Sequence, residues 1–92
     1  MRKVNYDQFN RFFDGVLSDA TCELCRGKEW AVADKRKFVD FLHQAKIITG
    51  LPSKGGSRFN FYEGIVMYCK RCGNSKFIMG DVIENWLKEH GE

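Results

Sequence analysis

The sequence predicts a single α+β domain over residues 1–92, in which antiparallel β-hairpins lie between an N-terminal and a C-terminal helix. Three observations support this prediction. Apolar residues recur at helical spacing near both ends of the chain, while short apolar runs in the middle alternate as strands do. Four cysteines form two Cys-x-x-Cys pairs in the central part, and no cysteine is left over. A chain of this length has a thin core, so a bound metal would add useful stability.

The N-terminal helix is predicted over about residues 5–18. Asn5 can cap it, Gln8 occupies the matching position of a capping box, and Asp7 favours the first turn electrostatically. One broad face carries its apolar side chains, which are Tyr6, Phe9, Phe12, Phe13, Val16 and Leu17. We expect this face to pack against the rest of the domain, and a partner-docking or dimerising helix is the alternative.

The central part, about residues 20–80, is predicted to be a ribbon of β-strands. Short strands are expected at 29–34 and 75–79, and the run 58–68 forms either one long strand or two strands joined at Gly64. A second helix is predicted from Asp34 through about Lys46, because helical spacing is kept by its apolar residues Phe38, Phe41, Leu42 and Ala45. Residues 50–57 are dense in glycine and contain the single proline, which predicts a loop.

The C-terminal helix is predicted over about residues 81–90. Asp81 and Glu84 have the spacing of an N-terminal capping box. Ile83, Trp86, Leu87 and His90 share one face of this helix. No linker divides the chain, so the two helices and the ribbon are expected to form one domain.

The cysteine pairs Cys22/Cys25 and Cys69/Cys72 are the strongest functional signal. The two residues inside each pair let a tight turn aim both sulfurs at one point. Two such turns supply four thiolates, which is the usual tetrahedral ligand set of a structural zinc. These four cysteines are therefore predicted to hold one Zn²⁺.

The closed shell of four thiolates leaves no position for water or substrate, so the site is expected to be structural and the protein not to be an enzyme. Gly73 follows the second turn and can adopt the positive φ that favours such a turn. Arg26 stands at the equivalent place of the first turn, which predicts a different geometry there. Trp30 is predicted to be a core residue, and His43 and His90 are expected to be ordinary helix residues rather than ligands.

The segment Cys22-Glu23-Leu24-Cys25 with Trp30 five residues on, followed later by residues 65–73 and the strand at Phe77-Ile78, resembles the zinc-ribbon superfamily. It is more closely similar to the small uncharacterised zinc-ribbon proteins found in bacterial genomes and prophages. The resemblance covers roughly residues 20–80 and leaves out both terminal helices. It implies an antiparallel hairpin framework around one zinc, without an established enzymatic activity. The first turn departs from the pattern, because it lacks a proline and an immediate glycine.

The formal charge of +3 is a weak argument for binding to polyanions. Four zinc-bound thiolates and Zn²⁺ add −2, which brings the metal-loaded protein to about +1. Any nucleic-acid contact must therefore come from local clusters of cations. The candidates are Lys35, Arg36, Lys37, Lys70, Arg71 and Lys76, with Tyr62 or Phe59 stacking on bases. The alternative is that these cations balance the charge of the metal site and solvate its rim.

These observations favour a non-enzymatic binding or adaptor protein that meets another protein through an apolar face of a terminal helix. A nucleic-acid-binding zinc ribbon is the second hypothesis, and an iron or thiol redox protein is the third. No run approaches the roughly 20 apolar residues of a membrane span, and no export signal is evident, so a cytoplasmic protein is expected. No pattern indicates a small-molecule substrate.

Overall fold

The computed structural model describes residues 1–36, 38–49 and 60–92. The predicted loop at 50–57, Lys37, Arg58 and Phe59 lie outside these residues. The fold is α+β, as predicted, with a helix at each end and a four-stranded antiparallel sheet between them. Its elements are α1 (Tyr6–Val16), β1 (Trp30–Val32), β2 (Ala45–Thr49), β3 (Asn60–Cys69), β4 (Ser75–Met79) and α2 (Gly80–Glu89). Among the described helices, neither has the length and hydropathy that a bilayer crossing requires.

Helix α1 begins at the capping box that the sequence predicts. The Gln8 backbone N–H donates to Asn5 Oδ1 at 2.8 Å, and the Asn5 N–H donates to Gln8 Oε1 at 3.0 Å. Phe9 and Phe12 are the buried residues of the helix. The helix ends at Val16, two residues earlier than predicted. Its apolar face therefore points towards the core of the domain.

Strand β3 is the centre of the sheet and runs as one strand through Gly64. Strand β4 pairs with residues 64–68 along one edge of β3. Strand β1 pairs with residues 67–69 and strand β2 with residues 60–64, so both lie along the opposite edge. Strands β1 and β2 thus lie end to end along the same edge of β3. Between these two strands, residues 33–44 leave the sheet. We call residues 33–44 the excursion.

Gly64 explains how a ten-residue strand passes the middle of the sheet without a break. A Cβ atom at this position would lie 2.1 Å from the Ile78 carbonyl oxygen and 2.7 Å from the Phe77 ring. The Phe77 side chain thus lies against the glycine backbone, and the two strands approach closely here. Of the two alternatives expected from the sequence, the single long strand is the one observed.

The predicted second helix from Asp34 to Lys46 is wrong. None of the described residues in this range is helical, and Ala45–Thr49 forms strand β2 instead. Asp34 accepts backbone hydrogen bonds from Arg36 and His43, both at 3.0 Å, which holds the segment in a turn. Cations at the start of a helix also oppose its dipole, and the following β-branched residues favour a strand.

Helix α2 follows β4 without a loop, and its predicted capping box is not formed. Met79, the last residue of β4, occupies the N-cap position, and no side chain caps the helix. Because the strand runs directly into the helix, Asp81 lies inside the first turn, where its charge favours the helix dipole. Ile83 and Leu87 are fully buried, and the Trp86 ring meets Phe12 edge-on at a centroid distance of 5.9 Å.

The core lies between one face of the sheet and the two helices. Ile65 and Met67 of β3 are buried against residues of α1 and α2. Leu42, in the excursion, is also buried, and its N–H donates to the Val4 carbonyl at 2.8 Å. Trp30 packs against this core, and its indole N–H donates to the Ala20 carbonyl at 3.1 Å. These contacts hold β1 against the core. Through the hydrogen bond from Trp30 to Ala20 they also hold the chain just before the first cysteine turn.

Candidate metal centre

The two cysteine turns have the same backbone structure. In the first, the Cys22 N–H donates to Gly27 O at 2.9 Å and the Arg26 N–H donates to Cys22 O at 2.8 Å. In the second, the Cys69 N–H donates to Asn74 O and the Gly73 N–H donates to Cys69 O, both at 2.8 Å. Each turn therefore closes with the same two hydrogen bonds, at the same spacing from its first cysteine.

A residue with positive φ follows the second cysteine of each turn. Gly73 has a φ of 83°, as expected for glycine, and Arg26 has a φ of 62°. The prediction that Arg26 changes the geometry of the first turn is thus wrong. An L-residue in this left-handed region costs on the order of 1–2 kcal/mol, and the hydrogen bonds of the turn hold Arg26 there.

The turns bring the four cysteine sulfurs together. All four Sγ atoms lie within 4.8 Å of one another, with Cys22–Cys72 and Cys25–Cys69 distances of 3.5 Å. A disulfide would require about 2.05 Å, and all four cysteines are free. Sulfurs around a tetrahedral ion at about 2.3 Å lie about 3.8 Å apart. The cluster therefore has the dimensions of a four-sulfur metal site, and its cysteines are positioned to bind a metal ion.

Hydrogen bonds favour the thiolate forms of two of these cysteines. Burial opposes ionisation of Cys22, but N–H groups of Cys25 and Leu24 and the Asn74 amide lower its pKa to about 6. The N–H groups of Cys72 and Arg71 likewise lower the pKa of Cys69, against the effect of burial.

The sulfur of Cys72 shows why the cluster requires a positive ion. The Asn74 N–H favours the thiolate of Cys72, but burial and the three neighbouring sulfurs raise the pKa of Cys72 to about 12. Four thiolates in contact repel one another, so they cannot all ionise without a positive ion between them. A divalent metal supplies that charge and replaces the remaining protons.

Two further donors support the sulfurs. The Gly27 N–H lies 3.4 Å from Cys25 Sγ, and the Asn74 side-chain amide lies 3.5 Å from Cys22 Sγ. The Asn74 contact joins residues 52 positions apart, so no local pattern in the sequence indicates it. In the sequence, this contact is indicated only by the polar residue that follows Cys72-Gly73. Such outer contacts orient the ligands of a metal site.

Three cations surround a cleft beside the cluster. Lys28, Lys70 and Arg71 line a cavity of about 370 Å³, together with Gly27 and Glu29. The Lys70 N–H donates to the Glu29 carbonyl at 3.0 Å, which holds the two sides of the cleft together. No ion pair of these three cations occurs among the described residues, and the remaining residues of the chain contain no carboxylate. We call this cavity the basic cleft.

The five candidate nucleic-acid contacts that the structure describes do not form one patch. Lys70 and Arg71 lie in the basic cleft, whereas Lys76 pairs with Glu23 and holds the pKa of that carboxyl at about 2. Arg36 lies in the excursion, where it pairs with Asp34 at 2.8 Å and keeps the Asp34 pKa well below its usual range.

The remaining predicted residues are spread over other parts of the structure. Lys35 lines a separate cavity of about 500 Å³ next to Tyr68. Tyr62, the predicted stacking residue, stands eight residues before Lys70, or about 26 Å along an extended strand. His90 stacks on Trp86 at a centroid distance of 3.9 Å, and the described metal-ligand cluster contains neither His90 nor His43.

Comparisons of the chain with protein-family models, with curated proteins and with solved structures found no match. The likeness to zinc ribbons therefore remains a resemblance carried by the cysteine motifs. What the structure adds is independent of that resemblance. A compact α+β domain brings four cysteine sulfurs from two matching turns within metal-binding distance of one another.

Proposed function

We propose that the protein binds one structural Zn²⁺ through Cys22, Cys25, Cys69 and Cys72, and acts as a non-enzymatic binding or adaptor module. The observation that supports this proposal is the cluster of four sulfurs within 4.8 Å. Four thiolates suit zinc well and complete its preferred tetrahedral shell. A complete shell has no open position, so the metal stabilises the fold without acting on a substrate.

Iron is the alternative metal, because four cysteines also hold iron in redox proteins. Metal analysis of protein purified without added metal distinguishes the two ions. We expect one zinc per chain and a colourless protein. Red protein with visible iron–thiolate absorption would overturn the zinc assignment and favour the redox hypothesis.

The cytoplasm is the compartment we propose, because reduced thiols persist there and remain available to a metal. An origin in a bacterial prophage is part of the same proposal and rests only on the resemblance to small zinc-ribbon proteins. For the partner we propose another protein. The apolar residues that α1 and α2 leave exposed, Tyr6, Val16 and Val82, are candidates for its contact surface.

A pull-down with zinc-loaded protein tests the class of partner. The lysate is divided into a nuclease-treated and an untreated sample before capture. A protein partner should be captured equally from both samples. Capture that disappears after nuclease treatment would instead favour the second hypothesis, in which the protein binds nucleic acid.

The basic cleft is the specific observation that favours nucleic-acid binding as the second candidate. Lys28, Lys70 and Arg71 line one cavity, which gathers three cations for contacts with phosphates. The same cations also balance the −2 charge of the filled metal site. A charge-reversal experiment separates these two roles, because only phosphate binding requires the cations to contact a ligand.

The triple variant Lys28→Glu, Lys70→Glu, Arg71→Glu tests this second candidate. Binding to labelled single-stranded DNA or RNA should weaken steeply with salt in the wild type, because phosphate contacts release counterions. The triple variant should bind about tenfold more weakly or worse, with a smaller salt slope. The triple variant Lys3→Glu, Lys46→Glu, Lys88→Glu reverses three exposed cations outside the cleft and is the matched control for net charge. Equal binding by the triple variant with its zinc retained would exclude the cleft.

A further inference from the structure

The sheet has a second face that the helices do not cover. Side chains alternate along a strand, so the partners of the buried residues Ile65 and Met67 define the core face. Both helices pack on that face. The pairing register places the intervening residues on the opposite face, which we call the outer face. Its larger members are Ile47, Tyr62, Val66, Tyr68 and Phe77.

The outer face is apolar, whereas the side of an antiparallel sheet that lies opposite its helices is commonly polar. Ile47 and Tyr62 are each 39% exposed, and Tyr68 is 37% exposed. Ala31 and Ala45 occupy two further outward positions, so small residues lie between the larger ones. Among the strand residues whose side chains the structure describes, the polar groups on this face are the hydroxyls of Ser75, Tyr62 and Tyr68, and none is charged.

The lack of charge at the outward strand positions indicates which kind of surface can bind to this face. Of all residues in the chain, 29% are charged, yet these outward positions exclude them. A nucleic acid needs cations at its phosphates, and the described strand positions of this face provide none. Lys35 lines a cavity with Tyr68 at one end of the face, together with the acidic Asp34. A strongly charged protein surface would lose hydration without gaining ion pairs. The face therefore suits a surface that is flat, apolar and equally twisted.

We propose that the outer face binds the outer face of a second copy, forming a symmetric dimer of packed sheets. Two identical sheets have the same right-handed twist, so they can pack about 10 Å apart with strands about 30° from alignment. A two-fold axis near Val66 brings the same residues of each copy together. No charge at the described strand positions of the face opposes the approach.

The size of the face sets the strength of this dimer. Strand β3 has ten residues and is about 33 Å long, and three strand positions are about 14 Å wide. The flanking positions are only partly filled, by the eight residues of β1 and β2 on one side and the five of β4 on the other. Each copy would thus bury about 360 Å², or about 700 Å² for the pair. This total is below the 1,000 Å² or so expected of a stable interface, in the range of weak and transient contacts. The dimer is therefore weak and dissociates on dilution.

Sedimentation of the zinc-loaded protein over a range of concentrations tests the dimer. The wild type should change from monomer to dimer as concentration rises, with little dependence on salt. Val66→Lys places two like charges near the axis and should weaken association about tenfold or more. Val39→Lys is the matched control, because it replaces another half-buried valine, in the excursion, and should leave association unchanged.

A second measurement does not depend on the folding of the variant. Amide chemical shifts of the wild type, recorded during dilution, should change at β3 and β4 rather than at α1. A wild type that stays monomeric up to millimolar concentration would overturn the proposal. So would a dimer that Val66→Lys and Tyr68→Lys leave intact, or dilution shifts confined to the helices. The metal content of each sample shows separately whether the zinc proposal holds.

Discussion

Arg26 and Gly73 show at the residue scale that the fold determines a conformation the local sequence does not favour. Both have positive φ, and both donate a backbone hydrogen bond to the first cysteine of their turn. Glycine reaches this conformation without steric cost, whereas arginine does not. The geometry of the metal cluster therefore requires the left-handed residue, and the first turn tolerates the strain.

Gly73→Ala should destabilise the zinc-loaded protein by about 1 kcal/mol. No heavy atom lies within 4 Å of the Cβ that would be added, so the cost comes from backbone strain alone. Urea unfolding of the zinc-loaded variant measures it. Lys70→Ala is the control, because Lys70 is an exposed residue of the same turn. Equal stability of Gly73→Ala and the wild type would show that the left-handed conformation carries no strain.

The four sulfur ligands could be predicted from spacing, but their surroundings could not. A Cys-x-x-Cys pair forms its turn locally, so its role as a pair of metal ligands can be predicted from a few residues. The amide of Asn74 and the carboxylate of Glu23 act on residues more than 50 positions away. Such contacts exist only after the sheet has formed, which is why sequence patterns do not reveal them.

The excursion shows at the element scale how helical spacing can mislead. Phe38, Phe41 and Leu42 are spaced for one face of a helix, yet only Leu42 is buried. Phe38 is fully exposed and has a φ of 58°, which a helix does not allow. The strand β2 that follows is explained by its pairing with β3, a contact between distant parts of the chain. Tertiary pairing here overrides the local pattern.

Leu42→Ala should destabilise the protein by about 2–4 kcal/mol, because it removes a buried side chain and leaves a cavity. Leu42 is the core contact of the excursion, with 5% of its surface exposed. Phe41→Ala is the matched control, since Phe41 is 42% exposed and should cost less than about 1 kcal/mol. Thermal unfolding of both variants measures the difference. Similar losses in the two variants would show that Leu42 does not anchor the excursion.

At the scale of the whole molecule, the described residues form one layer of helices on one face of one sheet. The α+β class, the terminal helices and the β4 bounds could be predicted from the sequence, because each depends on periodicity within a short segment. The order of strands could not be predicted, since it depends on which distant segments pair. Besides the thin core, the cysteine cluster is a further point of contact, which joins the turn before β1 to the turn between β3 and β4.

Removal of zinc by a strong chelator should unfold the ribbon portion of the protein. Zinc binding supplies on the order of 10 kcal/mol to comparable small domains, which is about their whole stability. Near-ultraviolet circular dichroism should fall, because Trp30 packs beside the first cysteine turn. Added zinc should restore the signal, whereas added magnesium should not. A native spectrum from protein shown to be metal-free would contradict a structural role for zinc.

The excursion also determines how this fold can be lengthened. Val32 and Ala45 lie thirteen residues apart, while their partners on β3, Met67 and Gly64, lie three apart. The edge formed by β1 and β2 therefore contains ten residues more than the stretch of β3 that it lies against. Because ten is even, β2 resumes in phase, and Ala45 and Ile47 stay on the outer face. A foreign loop grafted here can differ in length, because residues 33–44 lie outside the sheet and absorb the change. What it must preserve is the register of β2 on β3, since a slip by one residue would exchange Lys46 with Ile47.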